Sequence, residues 1–197
     1  MADPRHKKRI ELEQLAFNLE YAFNRGVDLD NRIIQLTEDI EDHHFCLFDS
    51  AMTVMETMNK KAITIKINSY GGDVYTALGI IGRMFECQRK KIKIHTKGYG
   101  KIMSASTAIL AAGDKRSISR LAEFMHHESS YELPGPARES EHEQALKESL
   151  NLSEKWCALM TELTGISKHH WQRWGKGKDY YFTPDRCLEL NIVDEVF

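Results

Sequence analysis

The sequence lacks long apolar runs and contains few cysteines and prolines. Among its 197 residues there are 4 cysteines and 4 prolines. No apolar stretch approaches the roughly 20 residues that cross a bilayer, and no apolar run follows the charged N-terminal residues as it would in a secretory signal. The cysteines are far apart and form no C-x-x-C pair, which favours free thiols in a reducing compartment. We therefore expect a cytoplasmic protein with no membrane association.

The sequence also shows no excess of charge of either sign. Its formal net charge is -2, so no global field attracts it to nucleic acid. It contains no G-x-x-x-x-G-K-S/T loop, so a nucleotide site of that kind is not expected. Histidines occur as adjacent pairs, and adjacent side chains point in different directions, so we predict no metal site. These pairs are His43-His44, His126-His127 and His169-His170.

Strand-like and helix-like patterns alternate along the chain. Ile63, Ile65 and Ile67 recur with period two, which predicts a strand, and the following apolar residues recur with helical period. This alternation predicts one α/β domain over residues 31–197. Residues 1–30 are predicted to form an N-terminal helical extension, with a helix over 10–23.

The segment INSYGGD contains two glycines at the end of a predicted strand. Backbone N–H groups at such a turn are free to bind an anion, and glycine permits close approach. By itself, however, the segment is equally typical of a plain strand-to-helix turn.

Three further segments each carry a reactive side chain. Ser104 begins a small-residue helix, where the helix dipole and the next N–H stabilise an anion, although Ser104 or Ser106 is also typical of a helix cap. His126 ends an apolar strand, and Asp179 precedes a short strand and a capped helix. Together with the glycine turn, these segments supply an anion hole, a nucleophile, a base and an orienting acid.

The order and spacing of these segments resemble the proteolytic subunit of the Clp protease and its virus-encoded relatives. The resemblance covers about residues 32–197 and rests on five motifs. INSYGGD resembles the family's INSPGG, GKIMS its G-x-A-A-S, and FMH its M-I-H. DYYFT resembles D-x-F-M/L-S, and LNIVD resembles Y-G-L-V-D.

This resemblance implies a crotonase-like fold, a spiral of repeated ββα units, with an extended helix over 139–163 that packs rings face to face into a chamber. It implies a catalytic triad of Ser104, His126 and Asp179. It also implies that the N–H groups of Gly72 and Ala105 form the oxyanion hole. This chemistry requires no metal and no organic cofactor.

The sequence departs from the family pattern near these residues. Tyr70 replaces the family proline, and Ser106 replaces the glycine two residues after the nucleophile. His127 and Glu128 stand where the family has Gln-Pro, so His127 is the second candidate for the base. The segment 129–143 lacks the family's glycine-rich strand, which weakens the expectation for ring stacking.

The resemblance predicts a serine endopeptidase that cleaves extended or unfolded polypeptides within a homo-oligomeric ring. ATP-driven unfolding would then require a separate ATPase partner. One alternative is a virus-encoded maturation protease of the prohead type, acting on scaffold or capsid proteins in the host cytoplasm. An alternative from another class is a crotonase-type enzyme for acyl-CoA, which needs neither the serine nor the histidine.

Overall fold

The computed structural model describes residues 8–9, 12–16, 20, 24–131 and 135–197. Its strands are β1 (Val27–Asp28), β2 (Ile33–Leu36), β3 (Ile63–Ser69), β4 (Ile94–Met103), β5 (Lys115–Ile118), β6 (Glu123–His126), β7 (Tyr180–Phe182) and β8 (Glu195–Val196). The helices that follow the first strand are α1 (Asp42–Met58), α2 (Val74–Arg89), α3 (Ser106–Ala111), α4 (Glu139–Thr164), α5 (Lys168–Gly175) and α6 (Pro184–Glu189).

All of these strands belong to one sheet in the order β1-β2-β3-β4-β5-β8. From β2 to β8 the neighbouring strands are parallel, whereas β1 is antiparallel to β2. β6 pairs in parallel with the end of β4, and β7 pairs antiparallel with β6. Parallel neighbours need crossover connections, which the intervening helices supply. The predicted α/β class is confirmed.

β4 pairs with two different neighbours in succession. Its first part, from His95 to Gly98, pairs with β5, and its last three residues pair with β6. Gly100 lies between the two parts with φ +54°, and the backbone N–H of Lys101 donates to the side chain of Asn68. Two glycines so close together, Gly98 and Gly100, are typical of the end of a strand. Instead the chain bends there and continues to Met103, because glycine tolerates the left-handed conformation.

The core lies around β3 and the helices that cover it. Ile63, Ile65 and Ile67 are fully buried, in agreement with the period-two pattern. A buried ion pair joins two of the covering helices, since Arg83 of α2 donates to Glu56 of α1 at 2.9 Å. The hydrogen bond from Arg83 lowers the pKa of the Glu56 carboxyl to about 2.

The long helix α4 has two different halves. In its C-terminal half Trp156 and Met160 are buried against the core. In its N-terminal half Leu146 and Leu150 are 49% and 59% exposed. One contact of this half with the rest of the domain is the hydrogen bond from the Tyr75 hydroxyl to Glu148. The N-terminal half therefore leaves an apolar face open.

The predicted N-terminal helix falls only partly within the described residues. Within the predicted helix 10–23, the described residues are 12–16 and 20, and all of them are helical. The other positions of this segment lie outside the described residues. Gly26 follows with φ +64°. Across the part of the chain that the structure describes, no helix has the length and apolar character needed to span a membrane.

Candidate active site

Ser104 lies in a sharp turn between the end of β4 and the start of α3. Its φ is +51°, a left-handed conformation that is uncommon for residues other than glycine. The Ser104 N–H donates to the Met125 carbonyl at 2.9 Å, and the Ser104 carbonyl accepts from the N–H and hydroxyl of Thr107. Because these bonds hold the backbone, the strained turn points its hydroxyl away from the helix and towards the chain after β6.

Ser106, the other candidate serine, has a structural position. Its side chain is fully buried, and its Oγ accepts the Met103 N–H at 2.8 Å. The same oxygen lies 3.2 Å from the Ser69 carbonyl. These bonds occupy the Ser106 hydroxyl and leave Ser104 as the accessible serine of the turn.

The Gly71-Gly72 turn packs directly against Ser104. A Cβ added to Gly71 would lie 2.6 Å from Cβ of Ser104 and 2.9 Å from N of Ala105, so no side chain fits. Gly72 has φ +138°, and a Cβ there would meet the Ile40 carbonyl at 2.4 Å. Glycine is therefore required at both positions, because neighbouring atoms leave no room for a side chain and because the backbone has a positive φ.

The turn is held by Ile40 in the loop between β2 and α1. Ile40 donates its N–H to the Gly71 carbonyl at 2.6 Å, and its carbonyl accepts the Asp73 N–H at 2.7 Å. Neither of these two hydrogen bonds involves the N–H of Gly72. Among the described residues, no acceptor is bonded to the N–H of Gly72 or of Ala105. Unbonded donors thus stand at Ala105, the residue after Ser104, and at Gly72, the residue after the Gly71 that packs on Ser104. Unbonded N–H groups of this kind are what an oxyanion hole requires.

His127 is the histidine that contacts Ser104. Its Nε2 lies 2.7 Å from Oγ of Ser104, and its Nδ1 lies 3.4 Å from Oδ1 of Asp179. The side chain of His127 is 31% exposed and that of Asp179 is 53% exposed. An imidazole bonded to a serine on one side and facing a carboxylate on the other is the arrangement that activates a serine hydroxyl.

His126, the expected base, lies elsewhere. It is only 2% exposed, and its Nε2 is 3.0 Å from the Trp171 carbonyl. Because a carbonyl only accepts, Nε2 carries the proton, and burial lowers the pKa of the imidazole to about 4. His126 is therefore a neutral buried residue that bonds Trp171, and its expected contact with Ser104 is wrong, because His127 makes that contact.

Strand pairing explains why His127 and Asp179 meet. In the antiparallel pair of β6 and β7, His126 lies opposite Tyr180. One step further along each chain, the same register places His127 opposite Asp179. The sequence contained a signal for this arrangement. The family motif M-I-H can also be aligned with Met125-His126-His127, so that its methionine matches Met125. In this alignment the histidine of the motif is His127.

A cavity of about 580 Å³ opens beside Ser104. Helices α4 and α5 and the residues after β6 form its walls. The lining includes Ser104, His127, Ser129, Leu150, Trp156 and Trp171. Its position next to the serine suits the side chain of a bound substrate.

Glu38, His43 and His44 form a separate cluster at the start of α1, with candidate ligand atoms within 4.8 Å of one another. Nδ1 of His44 accepts the Glu41 N–H at 3.1 Å as part of the helix cap. In the neutral imidazole the proton then lies on Nε2, so neither nitrogen offers a free lone pair. His44 therefore serves in the helix cap.

Comparisons with known proteins bear on the family and the fold of the chain. The family model described as Clp protease matches residues 23–197. Among solved structures, the chain is similar to a ClpP1 mutant from Listeria monocytogenes, with 23% identity and a TM-score of 0.74. That match covers 86% of this chain and 92% of the other.

The match to this family model implies a protein of the peptidase class. The chain belongs to the Clp protease family, because the family model covers most of its length. The fold itself matches that of the solved ClpP1 structure.

Proposed function

We propose that the protein is a serine endopeptidase with Ser104 as nucleophile, His127 as general base and Asp179 as the acid that orients the imidazole. Ser104 attacks the peptide carbonyl while Nε2 of His127 takes its proton and then returns it to the leaving amine. The free N–H groups of Gly72 and Ala105 stabilise the oxyanion.

The observation that carries this proposal is the 2.7 Å contact between Oγ of Ser104 and Nε2 of His127. It occurs at a serine with a strained, positive φ. The carboxylate of Asp179 faces the other ring nitrogen at 3.4 Å. An acyl-CoA enzyme of the crotonase type requires none of these three features, so peptide hydrolysis is the function that the site supports best.

We further propose that the substrates are extended or unfolded polypeptides and that the active form is a homo-oligomeric ring. The apolar face of α4 around Leu146 and Leu150 is available for contact with another subunit. Unfolding of a folded substrate would then depend on a separate ATPase, and the compartment that we expect is the cytoplasm. Rapid cleavage of a folded protein by the purified chain would instead favour a free-standing maturation protease.

The test compares neighbouring histidines and neighbouring serines in one assay. Purified chain is incubated with a fluorogenic peptide, and separately with a fluorophosphonate whose attachment site is mapped. Ser104→Ala and His127→Ala should each lower peptide hydrolysis by about 10⁴-fold or more. His126→Gln keeps a donor for the Trp171 carbonyl and should retain most of the activity.

The assignment would be contradicted if the fluorophosphonate labelled Ser106. It would also be contradicted if peptide hydrolysis survived His127→Ala but was lost in His126→Gln. A thermal melt of each variant separates loss of catalysis from loss of folding. The proposal requires that Ser104→Ala and His127→Ala melt close to the parent protein, since both side chains lie at the surface of the cavity.

A further inference from the structure

Glu128 directly follows His127 and bonds the segment that leads to Asp179. Its backbone N–H donates to the Gly175 carbonyl at 3.3 Å. Its side-chain Oε1 accepts the N–H of Gly177 at 3.1 Å. Glu128 therefore connects the chain after β6 with the loop between α5 and β7.

This loop is short and positions the acid of the site. Gly177 has φ +69° and lies two residues before Asp179. The loop closes on itself through the Lys178 N–H, which donates to the Gly175 carbonyl at 3.4 Å. The Asp179 side chain is half-exposed and 3.4 Å from His127. Small movements of the loop therefore change the contact between the carboxylate and the imidazole.

We propose that Glu128 is a positioning residue that holds Asp179 in line with His127, an inference that rests on the proposed function. Among the described residues, Glu128 makes no hydrogen bond with Ser104 or with the imidazole of His127. It acts through the hydrogen bond to Gly177, which fixes the loop relative to the residue that carries the base. The Glu128 side chain thereby sets the distance between the Asp179 carboxylate and the His127 imidazole.

The role depends on an acceptor oxygen and not on negative charge. Glu128→Gln keeps an Oε1 that accepts the Gly177 N–H, whereas Glu128→Ala removes it. Glu123 offers a matched control, because it is an exposed glutamate at the other end of β6. These three variants separate the hydrogen bond, the charge and a general effect of removing a surface glutamate from this part of the chain.

The experiment measures peptide hydrolysis and the rate of fluorophosphonate labelling for each variant. Glu128→Ala should lower kcat roughly tenfold with little change in KM, and should slow labelling by a similar factor, because small misplacement of a catalytic group is costly. Glu128→Gln and Glu123→Ala should stay within about twofold of the parent protein. Equal losses in Glu128→Ala and Glu128→Gln would overturn the proposal, as would full activity of Glu128→Ala.

A double variant tests whether Glu128 acts through Asp179. In an Asp179→Ala background there is no carboxylate to position, so adding Glu128→Ala should change the labelling rate by less than twofold. If the tenfold loss persists in that background, Glu128 has another role and the inference is refuted.

The parent protein separates this inference from the proposed function. Absence of labelling at Ser104 in the unmodified chain would refute the proposed function itself. Normal labelling of the parent together with unaltered labelling of Glu128→Ala would refute only the role of Glu128.

Discussion

Acidification is expected to destabilise the fold through the buried His126. In the folded chain, burial lowers the pKa of this imidazole to about 4, whereas in the unfolded chain it titrates near its ordinary value of 6.5. Between these pH values the unfolded state binds more protons than the folded state. The free energy of unfolding contributed by this group is therefore fully present above pH 6.5 and falls as the pH falls towards 4.

The two pKa values set the size of the effect. At pH 4.5 the loss is about 2.5 kcal/mol relative to neutral pH, which is a large part of the stability of an ordinary domain. Burial also lowers the pKa of His44, so acidification below about pH 6.5 destabilises the protein through this group as well. A comparison with a variant of His126 isolates the contribution of this one group.

The assay is urea unfolding followed by tryptophan fluorescence at pH 7.5 and pH 4.5. His126→Gln should lose about 2.5 kcal/mol less than the parent protein over this range, since glutamine does not titrate. His142→Gln removes an exposed histidine of α4 and serves as the control for replacing a histidine by glutamine. If the parent and His126→Gln lose the same stability on acidification, the assignment of His126 as a neutral core residue fails.

Three further predictions follow from packing and buried bonds. Gly175→Ala brings a Cβ to 2.9 Å from Nε2 of His126, so we expect a lower melting temperature together with reduced peptide hydrolysis. Ser106→Ala should cost roughly 1–2 kcal/mol in urea unfolding while fluorophosphonate labelling of Ser104 persists, and lost labelling would contradict the structural role. Arg83→Met leaves the Glu56 carboxylate without its buried partner and should cost about 3 kcal/mol at pH 7. A cost below about 1 kcal/mol would show that Lys90, 3.2 Å from Glu56, compensates.

The fold class could be predicted because hydrophobic periodicity follows directly from burial. The isoleucines of β3 alternate in the sequence because one face of that strand packs under helices. The end of β4 could not be predicted in this way. Two glycines usually end a strand, but here Gly100 bends the chain while pairing with new neighbours continues. Such pairing is a long-range property that no local pattern contains.

The sequence by itself was enough to select Ser104, Asp179 and the glycine turn as candidates, because the segments that carry them occur together in the order and spacing of the family pattern. It selected His126 as the base with His127 as the second candidate, and adjacent residues in a strand differ only in the face towards which they point. The tertiary structure decides between them. Pairing of β6 with β7 turns His126 into the core against Trp171 and leaves His127 between Ser104 and Asp179. The physical reason is register, which depends on contacts between residues more than 50 positions apart in the chain.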